Sequence, residues 1–83
     1  MNEVFLNGRI ITEIEFKFII NTKKQKSIVE FTLEIENGLK VKIKAYNEIA
    51  DYIYSKFKMY DDIILRGMLS QEYDVIIKEI VKF

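Results

Sequence analysis

The chain has 83 residues, enough for one domain near the small end of what folds alone, and nearly half of them are hydrophobic, including five tyrosines and six phenylalanines. Formal net charge is zero with a pI of about 6.3, which argues against a strongly basic nucleic-acid binder unless the charge is segregated along the chain. The absence of cysteine excludes disulfides and thiolate zinc sites, and the absence of histidine removes the commonest general base and the commonest metal ligand.

The stretch EVFLNGRII (residues 3–11) is rich in β-branched and aromatic residues around a glycine, which predicts a strand bent at Gly8. IEFKF (14–18) continues it, with Ile14, Phe16 and Phe18 on one face and Glu15 and Lys17 on the other. NTKKQK (21–26) is a polar loop. SIVEFTLEIE (27–36) alternates again, directing Val29, Phe31, Leu33 and Ile35 inward. The next hairpin is decided by parity. A two-residue Asn37-Gly38 loop would set Ile35 opposite Lys40, whereas facing residues share a side of the sheet. A three-residue loop, Glu36-Asn37-Gly38, sets Ile35 opposite Leu39 and predicts a type I turn with a left-handed Gly38. Leu39, Val41, Ile43 and Ala45 then point inward, and Lys40, Lys42, Lys44 and Tyr46 outward.

NEIADYIYSKFK (47–58) changes to helical period, with Ile49, Ala50, Ile53 and Phe57 as one apolar stripe and Asn47 as the expected N-cap. DDIILRGML (61–69) and DVIIKEIVKF (74–83) are two further strands joined by SQEY. The order is three strands, a helix, then two strands. It predicts an all-β OB-fold, a five-stranded Greek-key barrel with one short helix between strands three and four. With no proline, linker or repeat, residues 1–83 form a single domain.

The segments NEVFLNGRI, VEFTLEI, IKAYNEIADYI, DDIILRGML and IIKEIVKF resemble, in order, the strands and helix entry of the bacterial single-stranded DNA-binding protein (SSB) family. Primosomal replication proteins share the same barrel and are a close second. The resemblance implies non-sequence-specific binding of single-stranded DNA in replication, repair or recombination, with RNA open as a further ligand, and assembly as a homodimer or homotetramer. It also matches Tyr46 to an aromatic that stacks on bases, and Lys17-Phe18 to a basic–aromatic pair. The departures are a lack of tryptophan, short loops after strands two and four, Tyr60 where the family has a turn glycine, and an end at Phe83 with no acidic tail.

Charge distribution supports that implication. Residues 17–46 hold seven lysines and three glutamates, net +4, while the remainder holds six basic and ten acidic residues, net −4. The expected register faces Glu34 with Lys40, Thr32 with Lys42 and Glu30 with Lys44. Cross-strand charge pairing is therefore a sufficient reason for Lys40 and Lys44. Lys23, Lys24, Lys26 and Lys42 lack a facing acid and are the expected phosphate contacts. Tyr46 is the expected stacking platform, or else covers the helix entry. Tyr73 stacks on a base or rests on the sheet edge, and Phe18 is a stacking or a core residue. Arg9 and Phe5 share an outward face and serve either DNA contact or subunit packing. Ile10, Ile11, Ile19, Ile64, Ile76 and Ile80 exceed what one small interior needs, so some of them are expected to face a partner subunit.

An OB-fold interaction module without nucleic-acid binding is the rival class. No nucleophile–base pair or phosphate-cradling glycine loop is present, so no enzyme and no cofactor are expected. Asp61-Asp62 reads as a solvated turn rather than a metal site. MNEVFLNGR lacks the basic and apolar regions of a signal peptide, and no apolar stretch approaches the roughly 20 residues of a membrane helix. These features predict a cytoplasmic protein with no membrane partner.

Overall fold

Alternation of Val29, Phe31 and Leu33 with Glu30, Thr32 and Glu34 makes Gln25–Glu34 (β3) the strand around which the others assemble. The computed structural model describes residues 3–20 and 25–81. The other strands are Glu3–Ile10 (β1), Glu15–Ile20 (β2), Lys40–Tyr46 (β4), Asp62–Leu69 (β5) and Val75–Ile80 (β6), with one helix, Asn47–Lys56 (α1), between β4 and β5. The ring runs β1-β5-β6-β4-β3 and closes back on β1. Its β4–β6 pair is parallel and its other pairs antiparallel. This is the expected OB-fold.

The anticipated long first strand is two strands. β1 pairs with β5 from Glu3 to Arg9 and meets β3 only at Arg9↔Glu34 and Ile10↔Leu33, whereas β2 pairs with β3 alone. Between them the chain turns a corner. The Ile11 N–H donates to the Thr32 carbonyl at 3.0 Å. The Thr32 N–H donates to Thr12 Oγ1 at 2.9 Å, so a side-chain oxygen takes the place of a ladder carbonyl. Gly8 lies just before the closure, where an added Cβ would collide with the Glu34 backbone oxygen. Its role is to let two strands cross at close range.

The three-residue loop is present. Ile35 N–H donates to the Leu39 carbonyl at 2.9 Å and Gly38 N–H to the Ile35 carbonyl at 3.2 Å. Asn37 (φ 69°) is left-handed along with Gly38 (φ 75°), so the turn is not the expected type I, which requires positive φ at Gly38 alone. Leu39, expected inside, is 60% exposed because it precedes the first β4 residue and sits at the rim of the ring.

The helical stripe is as expected, with Ala50 and Ile53 fully buried and Ile49 and Phe57 packed against the core. Asn47 is not the side-chain N-cap. It takes φ 57°, Tyr46 holds the cap position without a side-chain bond, and the Asn47 carbonyl accepts a bond from Ser27 Oγ at 3.3 Å. Ile10 belongs to the core with no exposed surface, so it does not face a partner. Wholly buried Ile10, Val29, Leu33, Ile43, Ile53 and Leu65 each contribute about 1.5–3 kcal/mol relative to exposure. Among the described residues no helix is long and apolar enough to cross a membrane.

Tyr60 stands at φ 77° in the turn before β5, and its N–H donates to the Ile10 carbonyl at 2.7 Å. The position is therefore one that favours glycine. Two substitutions should move stability in opposite directions, read as denaturant midpoints at constant slope. Gly8→Ala forces β1 and β3 apart and should cost about 2–4 kcal/mol. Tyr60→Gly relieves an unfavourable backbone and should gain about 0.5–1 kcal/mol, net of the extra chain entropy glycine brings to the unfolded state.

Candidate nucleic-acid interface

The β3–β4 ladder has the anticipated register, Glu34↔Lys40, Thr32↔Lys42 and Glu30↔Lys44, continuing to Ile28↔Tyr46. Strand β2 adds Lys17 opposite Ile28 and Ile19 opposite Lys26. Facing residues share a side, so Lys17, Lys26, Lys40, Lys42, Lys44 and Tyr46 lie on one outer face of three adjacent strands. Lys23 and Lys24 fall outside the described residues.

The site residues differ in how far they are engaged. Lys26 Nζ lies 4.5 Å from the centre of the Tyr46 ring, a cation–π contact that covers the face a base would use. Lys44 is tied down most firmly. Its ammonium bonds Asp74 at 3.1 Å, with side-chain exposures of 23% and 13%. That bond, together with the charges of Asp74 and Glu30, raises the Lys44 pKa above the ordinary lysine value despite partial desolvation. Glu30 is its Cα neighbour, but the hydrogen bond crosses from β4 to the β5–β6 turn.

That turn is organised by Ser70, whose Oγ accepts from the Glu72 and Asp74 N–H groups, both at 3.2 Å. The Ser70 N–H donates to the Asp74 carbonyl at 2.8 Å. The turn aims Asp74 at Lys44 and leaves Tyr73 left-handed (φ 66°) and 82% exposed, so Tyr73 does not rest on the sheet edge. Tyr73, Lys40 and Lys42 rim an apolar cleft of about 340 Å³ at the open end of the ring, floored in part by Val4, Leu39 and Val75. On its other side Lys42 borders a smaller cleft with Glu13, Glu15 and Glu30. Glu30 is a strand neighbour already expected beside this face, whereas Glu13 and Glu15 are brought in by the corner between β1 and β2.

Two predicted residues lie elsewhere. Phe18 pairs with buried Ser27, so it points to the side of the sheet opposite Lys17 and is itself 53% exposed. Arg9 bonds Asp62 at 3.2 Å, an exposed pair near the β1–β3 closure. Phe5 is 68% exposed on β1. Asp61 accepts from the Lys58 N–H at 2.9 Å, which engages both carboxylates of the Asp61-Asp62 pair in turn and strand contacts. Ile28 and Leu39 were not anticipated as part of the surface. Ile28 could have been found by extending the ladder two residues beyond Glu30.

A five-stranded ring with one helix between its third and fourth strands is the OB-fold class of all-β domains. No protein-family model matches the chain, and no curated protein matches it by sequence. Among solved structures it is similar to the SSB domain of a Synechococcus protein, with a TM-score of 0.84, 12% identity, and coverage of 99% of this chain and 96% of that one. It is also similar to the single-stranded DNA-binding protein of Thermus aquaticus, with a TM-score of 0.82 and 17% identity, spanning 40% of that chain. A chain of a replication protein A heterotrimer bound to single-stranded DNA matches with a TM-score of 0.76 and 13% identity, over 22% of its length. The fold is thus the OB-fold of SSB domains.

Because Asp74 occupies Lys44, Asp74→Asn should separate stability from binding. Lys44 titrates higher in the folded chain, so its contribution is complete below the ordinary lysine range and is lost as pH rises through the raised value. At neutral pH the variant should lose about 1 kcal/mol, a small figure because the pair is only partly shielded. It should bind oligo-dT more tightly, by anisotropy, because a cation is released onto the face. Unchanged affinity would place Lys44 outside the path.

Proposed function

We propose that the chain binds single-stranded DNA without sequence preference, across the outer face of β3 and β4, as a small SSB-like protein of replication, repair or recombination. The observation that carries this reading is the clustering of Lys17, Lys26, Lys40, Lys42 and Tyr46 on one face of an OB ring, where the sheet of this fold holds oligonucleotides. Lys40, Lys42 and the exposed Tyr73 extend the face to the apolar cleft. Lys23 and Lys24 are assigned to phosphate contacts on sequence grounds.

Binding proceeds by exchange. Lys26 leaves the Tyr46 ring for a phosphate, and a base takes its place on the ring; base stacking on an aromatic contributes about 1–3 kcal/mol against about 0.5–1 kcal/mol for an exposed cation–π contact. Tyr73 offers a second ring at the other end of β4. Arg9 and Phe18 contribute only at the margin, since one is paired with Asp62 and the other faces away. Glu13, Glu15 and Glu30 near Lys42 weaken the field, so affinity is modest and strongly salt-dependent. The assembly is a homodimer or homotetramer, the setting cytoplasmic and the role that of a binder rather than an enzyme. RNA shares the phosphate and stacking chemistry and is a secondary ligand.

The test is titration of a labelled oligo-dT, about 30 nucleotides long, at several salt concentrations. For single strands the log–log slope is about −0.7 per phosphate neutralised. Lys42→Glu should weaken binding severalfold for all sequences and reduce the slope by about one such unit. An unchanged affinity would remove β4 from the path. Absence of binding even at low salt would leave an OB-fold interaction module, the reading favoured by exposed Phe5, Phe18 and Ile20.

A further inference from the structure

Strand β2 is unlike the other strands. It terminates the sheet order and pairs only with β3, so its other edge has no strand partner among the described residues. All six of its residues are exposed. Four are large and apolar: Phe16 at 36%, Phe18 at 53%, Ile19 at 47% and Ile20 at 74%. Isolated proteins blunt such edges with proline, bulges or several charges. Here the only charges are Glu15 and Lys17, both on the outer face, and the ladder to β3 runs without a bulge. The inner face holds Phe16, Phe18 and Ile20. From α1, the Tyr54 ring lies 4.7 Å from that of Phe16.

We infer that β2 pairs antiparallel with β2 of a second copy, about a two-fold axis at Phe18. Self-complementarity identifies the occupant. Facing residues must share a side of the sheet, so the axis falls on a residue, and the choice lies among the central ones. An axis at Lys17 sets two like charges face to face. An axis at Ile19 pairs only Phe18, Ile19 and Ile20. An axis at Phe18 engages residues 16–20. Phe18 then meets Phe18, each Phe16 meets Ile20 of the other copy, and Lys17 lays its stem beside Ile19. The inner cluster begun by Phe16 on Tyr54 is thereby continued across the axis. The two outer faces lie on the same side of one sheet, so Lys17, Lys26 and Tyr46 of both copies join into one surface. That last consequence rests on the proposed DNA binding; the pairing itself does not.

The test therefore uses the full chain without DNA. With no cysteine in the sequence, Phe18→Cys introduces a single thiol. Its counterpart across the axis would have its Cβ about 4.5–5.5 Å away, close to disulfide reach. Mild oxidation should convert this variant to a covalent dimer at least about tenfold faster than Tyr73→Cys, a control at a more exposed but distant site. By sedimentation equilibrium the unmodified chain should dimerise, and Ile20→Lys should raise the dimer dissociation constant at least about tenfold, with an unchanged circular dichroism spectrum. Equal cross-linking rates, a monomeric unmodified chain, or self-association indifferent to Ile20→Lys would each overturn the pairing.

Discussion

The passage of β1 over β3 is the constraint on which the rest depends. Only two residue pairs close the ring there, Arg9↔Glu34 and Ile10↔Leu33. They can form because position 8 carries no side chain to meet the Glu34 carbonyl. Closure buries Ile10 completely and sets the turn at Tyr60, whose N–H bonds the Ile10 carbonyl. It also forces the corner at Thr12, from which β2 emerges as an arm on β3 rather than a continuation of β1. The surface assigned to DNA and the edge assigned to a second copy both follow from that corner.

Side-chain parity then distributes chemistry along β3. Its inward residues bury, while its outward residues face the β4 lysines on one side and the β2 arm on the other. The resulting surface is not uniformly basic. Glu13, Glu15 and Glu30 gather around Lys42, and Asp74 holds Lys44. A neutral chain thus presents a basic face moderated by acids at its margin. Such a face favours reversible binding governed by ionic strength over tight sequestration.

Much of this could be read from residue order. The β3–β4 register was recoverable because a one-residue slip would have placed Ile35 against a lysine, and the helical stripe because Ala50 and Ile53 share one face. What was hidden depended on contacts distant in sequence. Lys44 reads as the partner of Glu30 until the β5–β6 turn brings Asp74 within 3.1 Å. Lys26 and Tyr46 are 20 positions apart, and only the register stacks one over the other. The break after Ile10 was missed because residues 3–18 keep strand-like composition throughout, and the side-chain bond from Thr12 that ends the ladder leaves no mark on that pattern. Leu39 looked inward by parity, yet parity does not report that the ring has already opened at its rim.

Two tyrosines hold left-handed backbone, and their surroundings separate the reasons. Glycine would be the less strained residue at both positions. At Tyr60 the strained turn supplies the N–H that reaches Ile10, a backbone function for which the ring is dispensable. At Tyr73 the N–H donates to the Ser70 carbonyl at 3.1 Å, inside a turn that Ser70 and Asp74 also close by bonding each other. The Tyr73 ring, 82% exposed, adds nothing to the core, yet it stands beside Lys40 and Lys42 at the mouth of an apolar cleft. An exposed flat ring beside two cations suits stacking on a nucleobase, and the proposed binding gives it a use that the fold alone does not.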